Sequence, residues 1–230
     1  MATPEAIKTL VYFLIAVLPT LVWLWFWLKE DEKNPEPNGP LVITFFAGGL
    51  IALLALPMES FASKLALGSM ALIIIIAAIE EIVKFGIVAL INFKARYMDE
   101  RIDYPIYLIT GAMGFAMMEN VLFFFGTIFE QDLSFIFFTT NMRFLGATVL
   151  HGLMGAILGL VIGYGLYRFK SSGKRILTGV IGLGLVTGLH ALFNYFIINE
   201  SNTVLILTLG ALWLIGIIVL FFFERARRNK

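Results

Sequence analysis

Long apolar runs separated by short polar segments dominate this chain of 230 residues. A membrane-spanning α-helix needs about 20 consecutive, mostly apolar residues. Seven windows come close to that length, at about 7–28, 41–57, 65–93, 104–125, 136–167, 176–198 and 203–223. The less regular stretch 127–142 leaves room for an eighth, short re-entrant or interfacial helix. The pattern therefore predicts an all-α fold, a polytopic bundle of about seven transmembrane helices.

The composition agrees with this class. Hydrophobic residues make up 60% of the chain and charged residues 14%, with a mean hydropathy of +0.91. A water-soluble domain of this size cannot bury so much apolar surface. With no cysteine, the chain has no disulfide, thiol nucleophile or thiolate metal site. The longest polar segment, 29–40, reads as a Pro-rich connector, so we expect one integral-membrane domain over residues 1–230.

Basic residues are distributed unevenly between alternate loops. Thirteen of the seventeen lysines and arginines follow the first, third, fifth and seventh windows, whereas only Lys8 and Lys64 lie in the loops of the other side. Cytoplasmic loops of membrane proteins are enriched in these residues. This predicts an odd number of spans, with the N-terminus outside and the C-terminus in the cytoplasm. The short chain and sparse loops favour the plasma membrane of a bacterium. Trp23, Trp25 and Trp27 fit an interfacial aromatic belt.

The third window carries charges that crossing a membrane does not require. Glu80 and Glu81 lie near the middle of the apolar stretch 71–90, and Lys84 follows one helical turn later. An ionisable group at that depth costs at least a few kcal/mol. The four-residue spacing places Glu80 and Lys84 on one face of a helix, in the order that favours an ion pair. Adjacent Glu80 and Glu81 diverge by about 100°, so only one of them can face a shared centre squarely.

Further ionisable residues lie inside the next three windows. Glu119 is in the fourth, His151 in the fifth and His190 in the sixth, while Arg143 lies near the outer start of the fifth. With helices of alternating direction that rise about 1.5 Å per residue, these positions agree with that of Glu80 within roughly 10 Å of depth. We therefore expect one buried polar cluster rather than separate packing contacts.

Three carboxylates and two histidines in a dry cavity are suited to amide hydrolysis. A buried glutamate can deprotonate water, and an imidazole, an asparagine amide such as that of Asn194, or a metal can stabilise the oxyanion. Glu119, His151 and His190 would form a familiar zinc ligand set. The positive charge of Lys84 instead favours, slightly, a glutamate-activated water without metal. No cofactor is certain, and zinc stays open.

Two other functions use the same residues. A proton-coupled transporter or channel could employ the Glu and His side chains as a relay, although the two halves of the chain contain no inverted repeat and no matching pair of Pro-broken helices. A haem protein could use His151 and His190 as axial ligands, but three buried carboxylates would have no role beside a haem.

Four motifs resemble a known family. They are E-E-I-V-K at 80–84, G-F-A-M-M-E-N at 114–120, R-F-L-G-A-T-V-L-H-G at 143–152 and H-A-L-F-N at 190–194. In this order on successive spans, they resemble the PrsW family of glutamic-type intramembrane proteases, relatives of the CAAX prenyl endopeptidases and bacteriocin-processing proteins. CAAX enzymes typically carry Arg where Lys84 stands and F-x-x-x-H where this chain has Phe115 to Glu119. Both departures favour the PrsW branch.

The resemblance implies an intramembrane endopeptidase with a catalytic core at about 65–198. Its substrates would be membrane-associated proteins, such as an anti-sigma factor or a similar single-span protein, and no nucleic acid would be a partner. The implied catalytic residues are Glu80, Glu81, Glu119, His151 and His190, and the implied supporting residues are Lys84, Asn120, Arg143 and Asn194. Glu119, His151 and His190 would bind a metal only if the enzyme is metal-dependent.

Overall fold

Helices account for most of the structure. It is a computed structural model, and it describes residues 4–31, 34–65, 67–127, 141–199 and 201–228. Within these ranges there are seven α-helices, one π-helical turn and no strand. The helices are α1 Pro4–Lys29, α2 Asn38–Ser63, α3 Ser69–Asn92, α4 Asp103–Thr127, α5 Thr148–Arg168, α6 Ser172–Asn199 and α7 Asn202–Arg228, and the π-helical turn, Arg143–Ala147, immediately precedes α5. The all-α prediction is confirmed. The additional helix considered at 127–142 falls almost entirely outside the described residues.

Six of these helices are long and apolar enough to cross a membrane. The exception is α3, whose 24 residues include Glu80, Glu81 and Lys84 near the middle. Composition alone therefore supports six of the seven predicted spans. All three charged side chains of α3 are buried inside the bundle, so this helix presents its charges to its neighbours. The predicted orientation of the termini stays a prediction.

The packing of α4 against α5 forms the centre of the bundle. A Cβ atom added at Gly159 of α5 would lie 2.2 Å from the Cα atom of Pro105, and one at Gly155 would lie 2.8 Å from the carbonyl oxygen of Leu108. Small residues at such positions allow the backbones of two membrane helices to approach closely. On its opposite side α4 meets α2, where Gly48 and Gly111 are in similarly close contact.

The outer helices are α1 and α7. Only 12% of the apolar window of α1 and 11% of that of α7 is buried, compared with 61% for α4 and 72% for the segment that contains α5. Large apolar side chains of α7 such as Ile206, Leu207 and Ile217 are exposed, as expected for a surface that contacts lipid. Of the helices that carry the predicted polar cluster, α4 and α5 therefore lie at the centre of the bundle.

Candidate active site

Two residues hold Glu81 in place. The Lys84 ammonium, one helical turn along α3, donates a hydrogen bond of 2.6 Å to Glu81 Oε1. His190 of α6 brings its Nδ1 atom to 2.7 Å from the same oxygen. All three side chains are buried. A buried ion pair is tolerated only when further hydrogen bonds satisfy its members, and His190 supplies one of these.

The contact with Glu81 also fixes the tautomer of His190. An ionised carboxylate can only accept a hydrogen bond, so the ring proton of His190 belongs on Nδ1 and the lone pair on Nε2. That Nε2 atom lies 3.7 Å from Glu80 Oε2. Among the described residues, Glu80 Oε2 is a buried oxygen with no hydrogen-bond partner. The two adjacent glutamates therefore differ: Glu81 is engaged on both sides, and Glu80 has an available oxygen.

His151 connects Lys84 with Glu119. Its Nδ1 atom is 3.0 Å from Lys84 Nζ, and its Nε2 atom is 2.7 Å from Glu119 Oε2. Because an ammonium group only donates, Nδ1 accepts and the proton belongs on Nε2, which donates to Glu119. The rings of His151 and His190 meet edge to face, 5.2 Å apart. Phe115 packs against His151 and beneath the Lys84 ammonium. One continuous network thus joins α3, α4, α5 and α6.

The network is accessible on the Glu119 side. The Glu119 side chain is 30% exposed, whereas those of Glu80, Glu81, His151 and His190 are all nearly inaccessible. Arg143 Nη2 lies 3.6 Å from Glu119 Oε2. Glu119 is therefore the carboxylate through which this network reaches the surroundings of the bundle.

Asn120 fixes the position of Arg143. Its Oδ1 atom accepts a hydrogen bond of 2.5 Å from Arg143 Nε. Its Nδ2 atom donates to the Ala16 carbonyl of α1 and to Thr148 Oγ1 of α5, both at 3.3 Å. Asn120 therefore connects three elements beside the accessible carboxylate.

The π-helical turn Arg143–Ala147 is held by two tryptophans. The wider π-helical geometry is rare and occurs often at functional sites. Trp23 of α1 donates from Nε1 to the carbonyl oxygen of Phe144, and Trp213 of α7 donates to that of Leu145, both at 3.1 Å. Sequence reasoning placed Trp23 in an aromatic belt and missed Trp213. Of the three belt candidates, Trp25 is 62% exposed and Trp27 is buried, packed against Phe223.

The structure groups Glu80, rather than Glu119, with the two histidines. Within the described part of the chain, Glu80, His151 and His190 are the one set of three whose potential ligand atoms all lie within 4.8 Å of one another. Two imidazoles and a carboxylate suit zinc, and the unpartnered Glu80 oxygen is an available donor. His151 would exchange one of its present contacts, Lys84 or Glu119, for the metal. The donor set therefore fits a zinc ion, with Glu80 in the place that sequence reasoning gave to Glu119.

Asn194 and Glu59 lie near the cluster without a hydrogen bond to it. Asn194 is half-buried one turn beyond His190, and its side chain makes no hydrogen bond to another described residue. Glu59 of α2 was missed, although it lies close enough to Glu119 and Glu80 to interact with them electrostatically. It follows the second apolar window by two residues, a position where an acidic side chain usually belongs to a loop. Lys84, Asn120 and Arg143 contact the cluster, as described above.

Residues 36–223 match the PrsW family of intramembrane metalloproteases. The chain belongs to the PrsW family. Similar relatives include Protease PrsW of Clostridioides difficile, 24% identical over 205 residues that cover 85% of this chain and 82% of the relative. Protease PrsW of Bacillus subtilis is 22% identical over 81% of this chain and 82% of its own length. Protease PrsW of Oceanobacillus iheyensis is 24% identical over 93% and 94%, respectively. No solved structure matches.

Membership of the PrsW family confirms the resemblance described from the motifs. It also bears on the other functions considered for these residues. The chain is a multi-pass membrane protein of a peptidase family, so a proton-coupled transporter is not favoured. The family is described as metalloproteases, which does not support the metal-free preference drawn from Lys84. A haem between His151 and His190 does not fit, because their rings are in direct edge-to-face contact.

Proposed function

We propose that this protein is an intramembrane endopeptidase with Glu80, Glu81, Glu119, His151 and His190 as its catalytic centre. The observation that carries the proposal is the continuous buried network, in which one carboxylate oxygen, Glu80 Oε2, stays without a partner beside two histidines. Ionisable groups inside a membrane are costly, so a cluster of six, these five and Lys84, is hard to explain by packing alone. Family membership supports peptide-bond hydrolysis as its chemistry.

In this proposal Glu80, His151 and His190 would hold a zinc ion. When bound, zinc would lower the pKa of a water ligand and polarise the scissile carbonyl. Glu81 would orient His190 through Nδ1, in the way that carboxylates commonly orient metal-ligating histidines. Lys84 in turn keeps Glu81 in position through the 2.6 Å hydrogen bond.

Glu119 is the proposed general base. It is the accessible carboxylate of the cluster, so it can remove a proton from the attacking water and deliver it to the leaving amide nitrogen. Arg143, held by Asn120, supplies positive charge beside Glu119 and stabilises the oxyanion. Asn194, whose amide is not engaged by other described side chains, would hydrogen-bond the substrate backbone.

The proposed substrates are membrane-associated proteins of the bacterial plasma membrane, an anti-sigma factor or another single-span protein among them. A panel of tagged single-span substrates, co-expressed with the protein, would identify them by the appearance of a shortened product. The same assay provides the readout for the variants below.

Replacement of the general base should abolish cleavage while the protein still folds. Removal of a general base typically costs about 10²–10⁴-fold in rate, so we expect at least a hundredfold loss in Glu119→Gln. Glu80→Gln should also lose cleavage, because it removes a proposed metal ligand. Glu224→Gln, which changes a carboxylate at the end of α7 that pairs with arginines, is the matched control and should cleave normally. Unchanged cleavage in both Glu80→Ala and Glu81→Ala would contradict the proposal.

The metal content of purified variants distinguishes the proposed zinc ligands from the proposed general base. The purified wild type should contain about one zinc ion per chain by elemental mass spectrometry, and chelation should stop turnover. Glu80→Gln and His190→Ala should lose the metal, whereas Glu119→Gln should retain it and still be inactive. An active enzyme free of metal would instead make Glu80, with its unpartnered oxygen, the residue that activates water.

A further inference from the structure

A cavity of about 710 Å³ lies between α5, α6 and α7, and none of the proposed catalytic residues lines it. Its walls are apolar and include Leu160, Leu185, Ile215 and Phe222, and we call it the α7 groove. Several lining side chains, among them those of Ile218 and Phe222, are about half exposed. The groove is therefore open to the surroundings of the bundle, and its volume is within the range of about 300–1,000 Å³ typical of ligand sites.

Two arginines lie at one end of this apolar groove. Arg101 comes from the segment before α4 and Arg225 from the last turn of α7. Neither forms a salt bridge with a described residue, whereas the neighbouring Arg227 and Arg228 both pair with Glu224. Asp99 and Glu100 line a smaller, adjoining cavity of about 220 Å³ together with Arg101. The α7 groove thus combines an apolar surface with two arginines at one end that form no salt bridge with a described residue.

The Arg101 guanidinium is also held in a defined position. It lies over the ring of Tyr167, 5.0 Å from the ring centroid. The Arg101 carbonyl lies close to Gly163 of α5, where an added Cβ atom would approach it to 2.6 Å. Close backbone packing and a stacked side chain reduce the entropy that Arg101 would lose when it binds a ligand.

We propose that the α7 groove binds an anionic phospholipid. The acyl chains would lie against the apolar side chains of α5, α6 and α7, and the phosphate would lie between Arg101 and Arg225. Guanidinium groups recognise phosphate through paired hydrogen bonds, and basic pockets between transmembrane helices bind anionic headgroups. A zwitterionic headgroup would bring its own positive charge towards the two arginines, so the site selects for net negative charge.

Further basic residues lie at this end of the bundle. The end of α5, the start of α6 and the connection between them carry four further basic residues: Arg168, Lys170, Lys174 and Arg175. Each basic residue near an anionic membrane surface strengthens binding about fivefold. These residues raise the local concentration of anionic lipid, whereas Arg101 and Arg225 select the molecule that occupies the groove. This inference does not depend on the proposed proteolytic function.

Native mass spectrometry of the full-length protein in detergent tests the headgroup selection. The probes are dioleoyl phosphatidylglycerol and dioleoyl phosphatidylcholine. We expect the wild type to bind the phosphatidylglycerol about 25-fold more tightly, from about fivefold for each of the two arginines. Arg101→Gln/Arg225→Gln should bind the two lipids about equally. Arg228→Gln is the matched control, since this arginine is exposed and pairs with Glu224, and its preference should equal that of the wild type.

A second variant tests the groove itself. Ile218→Trp adds volume to a half-exposed lining position and should weaken the retention of both lipids at least several-fold, with unchanged circular dichroism. Equal affinity of the wild type for both lipids, or an unchanged preference in the double arginine variant, would overturn the proposal. So would an Ile218→Trp protein that retains lipid normally but has a raised KM for a single-span substrate, because the groove would then bind a substrate helix.

Discussion

At the scale of single residues, the structure distinguishes two glutamates that are neighbours in sequence. Glu81 accepts hydrogen bonds from Lys84 and His190, whereas Glu80 Oε2 has no partner among the residues described. Removing one member of a buried ion pair leaves the other charge uncompensated, and this is usually more damaging than removing both. The two glutamates should therefore respond differently to the same substitution.

Glu81→Gln should destabilise the protein, and Glu80→Gln should not. Loss of the Glu81 charge leaves the buried Lys84 ammonium without its counter-ion, which typically costs about 3 kcal/mol. Thermal unfolding in detergent measures the difference. Glu81→Gln/Lys84→Met should recover most of the lost stability without recovering cleavage, because His190 still lacks its carboxylate. Equal melting temperatures for Glu81→Gln and Glu80→Gln would show that the Glu81–Lys84 pair has no structural role.

At the scale of elements, the π-helical turn before α5 connects the outer helices to the site. It carries Arg143 and leads directly into the helix of His151. Its carbonyls at Phe144 and Leu145 accept hydrogen bonds from Trp23 and Trp213. Two peripheral helices, α1 and α7, thereby contact the turn that carries Arg143 without contributing a residue to the proposed catalytic centre.

Trp23→Phe should slow cleavage more than it lowers stability. The substitution keeps an aromatic ring but removes the N–H donor to Phe144, a net loss of about 1 kcal/mol for an ordinary hydrogen bond. If the turn shifts, Arg143 moves relative to Glu119, and we expect a fall in cleavage rate of about tenfold. The single-span substrate assay measures the rate. Trp25→Phe, at an exposed position two residues away, is the control, and equal rates in both variants would argue against a positioning role for the turn.

The element boundaries show where apolar length is a sufficient guide and where it is not. The window 65–93 predicts α3 to within a few residues of Ser69–Asn92. By contrast, α7 continues to Arg228, five residues beyond its window, because Glu224 pairs with Arg227 and Arg228 at helical spacing. Ion pairs of this kind extend a helix after its apolar sequence ends, so hydropathy alone ends it too early.

At the scale of the whole molecule, the sequence predicts which residues belong to the polar cluster. It does not predict which member contacts which. The depth comparison brings Glu119, His151 and His190 to the level of Glu80, and the structure joins all four in one network. The sequence cannot predict that Glu80, rather than Glu119, lies within reach of both histidines, because that depends on the rotation of each helix about its axis. The contribution of Trp213 likewise depends on which distant helix packs against the π-helical turn. Such information lies in the packing of helix pairs, which periodicity within one helix does not encode.

A second buried acidic group links the α1–α2 connection with the start of α4. Glu36, just before α2, is 8% exposed and close to Asp103. Burial, followed by the negative charge of Asp103, raises the pKa of Glu36 from 4.5 to about 8. The other titratable groups around it are Asp31, Tyr97 and Tyr107. Protonated Glu36 is therefore favoured by the folded bundle more than by the unfolded chain.

The stability of the whole bundle should consequently decrease as pH rises through this range. A carboxyl group whose pKa is higher in the folded state contributes stability that is fully present below its unfolded value of 4.5 and is lost as pH rises to about 8. We expect the melting temperature in detergent to fall between pH 5 and pH 9, and Glu36→Gln, which stays neutral, to flatten that dependence. Glu30→Gln, in the same connection, should leave it unchanged. A wild-type melting temperature that rises with pH over this interval would mean that ionised Glu36 is the form the bundle stabilises, and that the connection is fixed by a cation rather than by a proton.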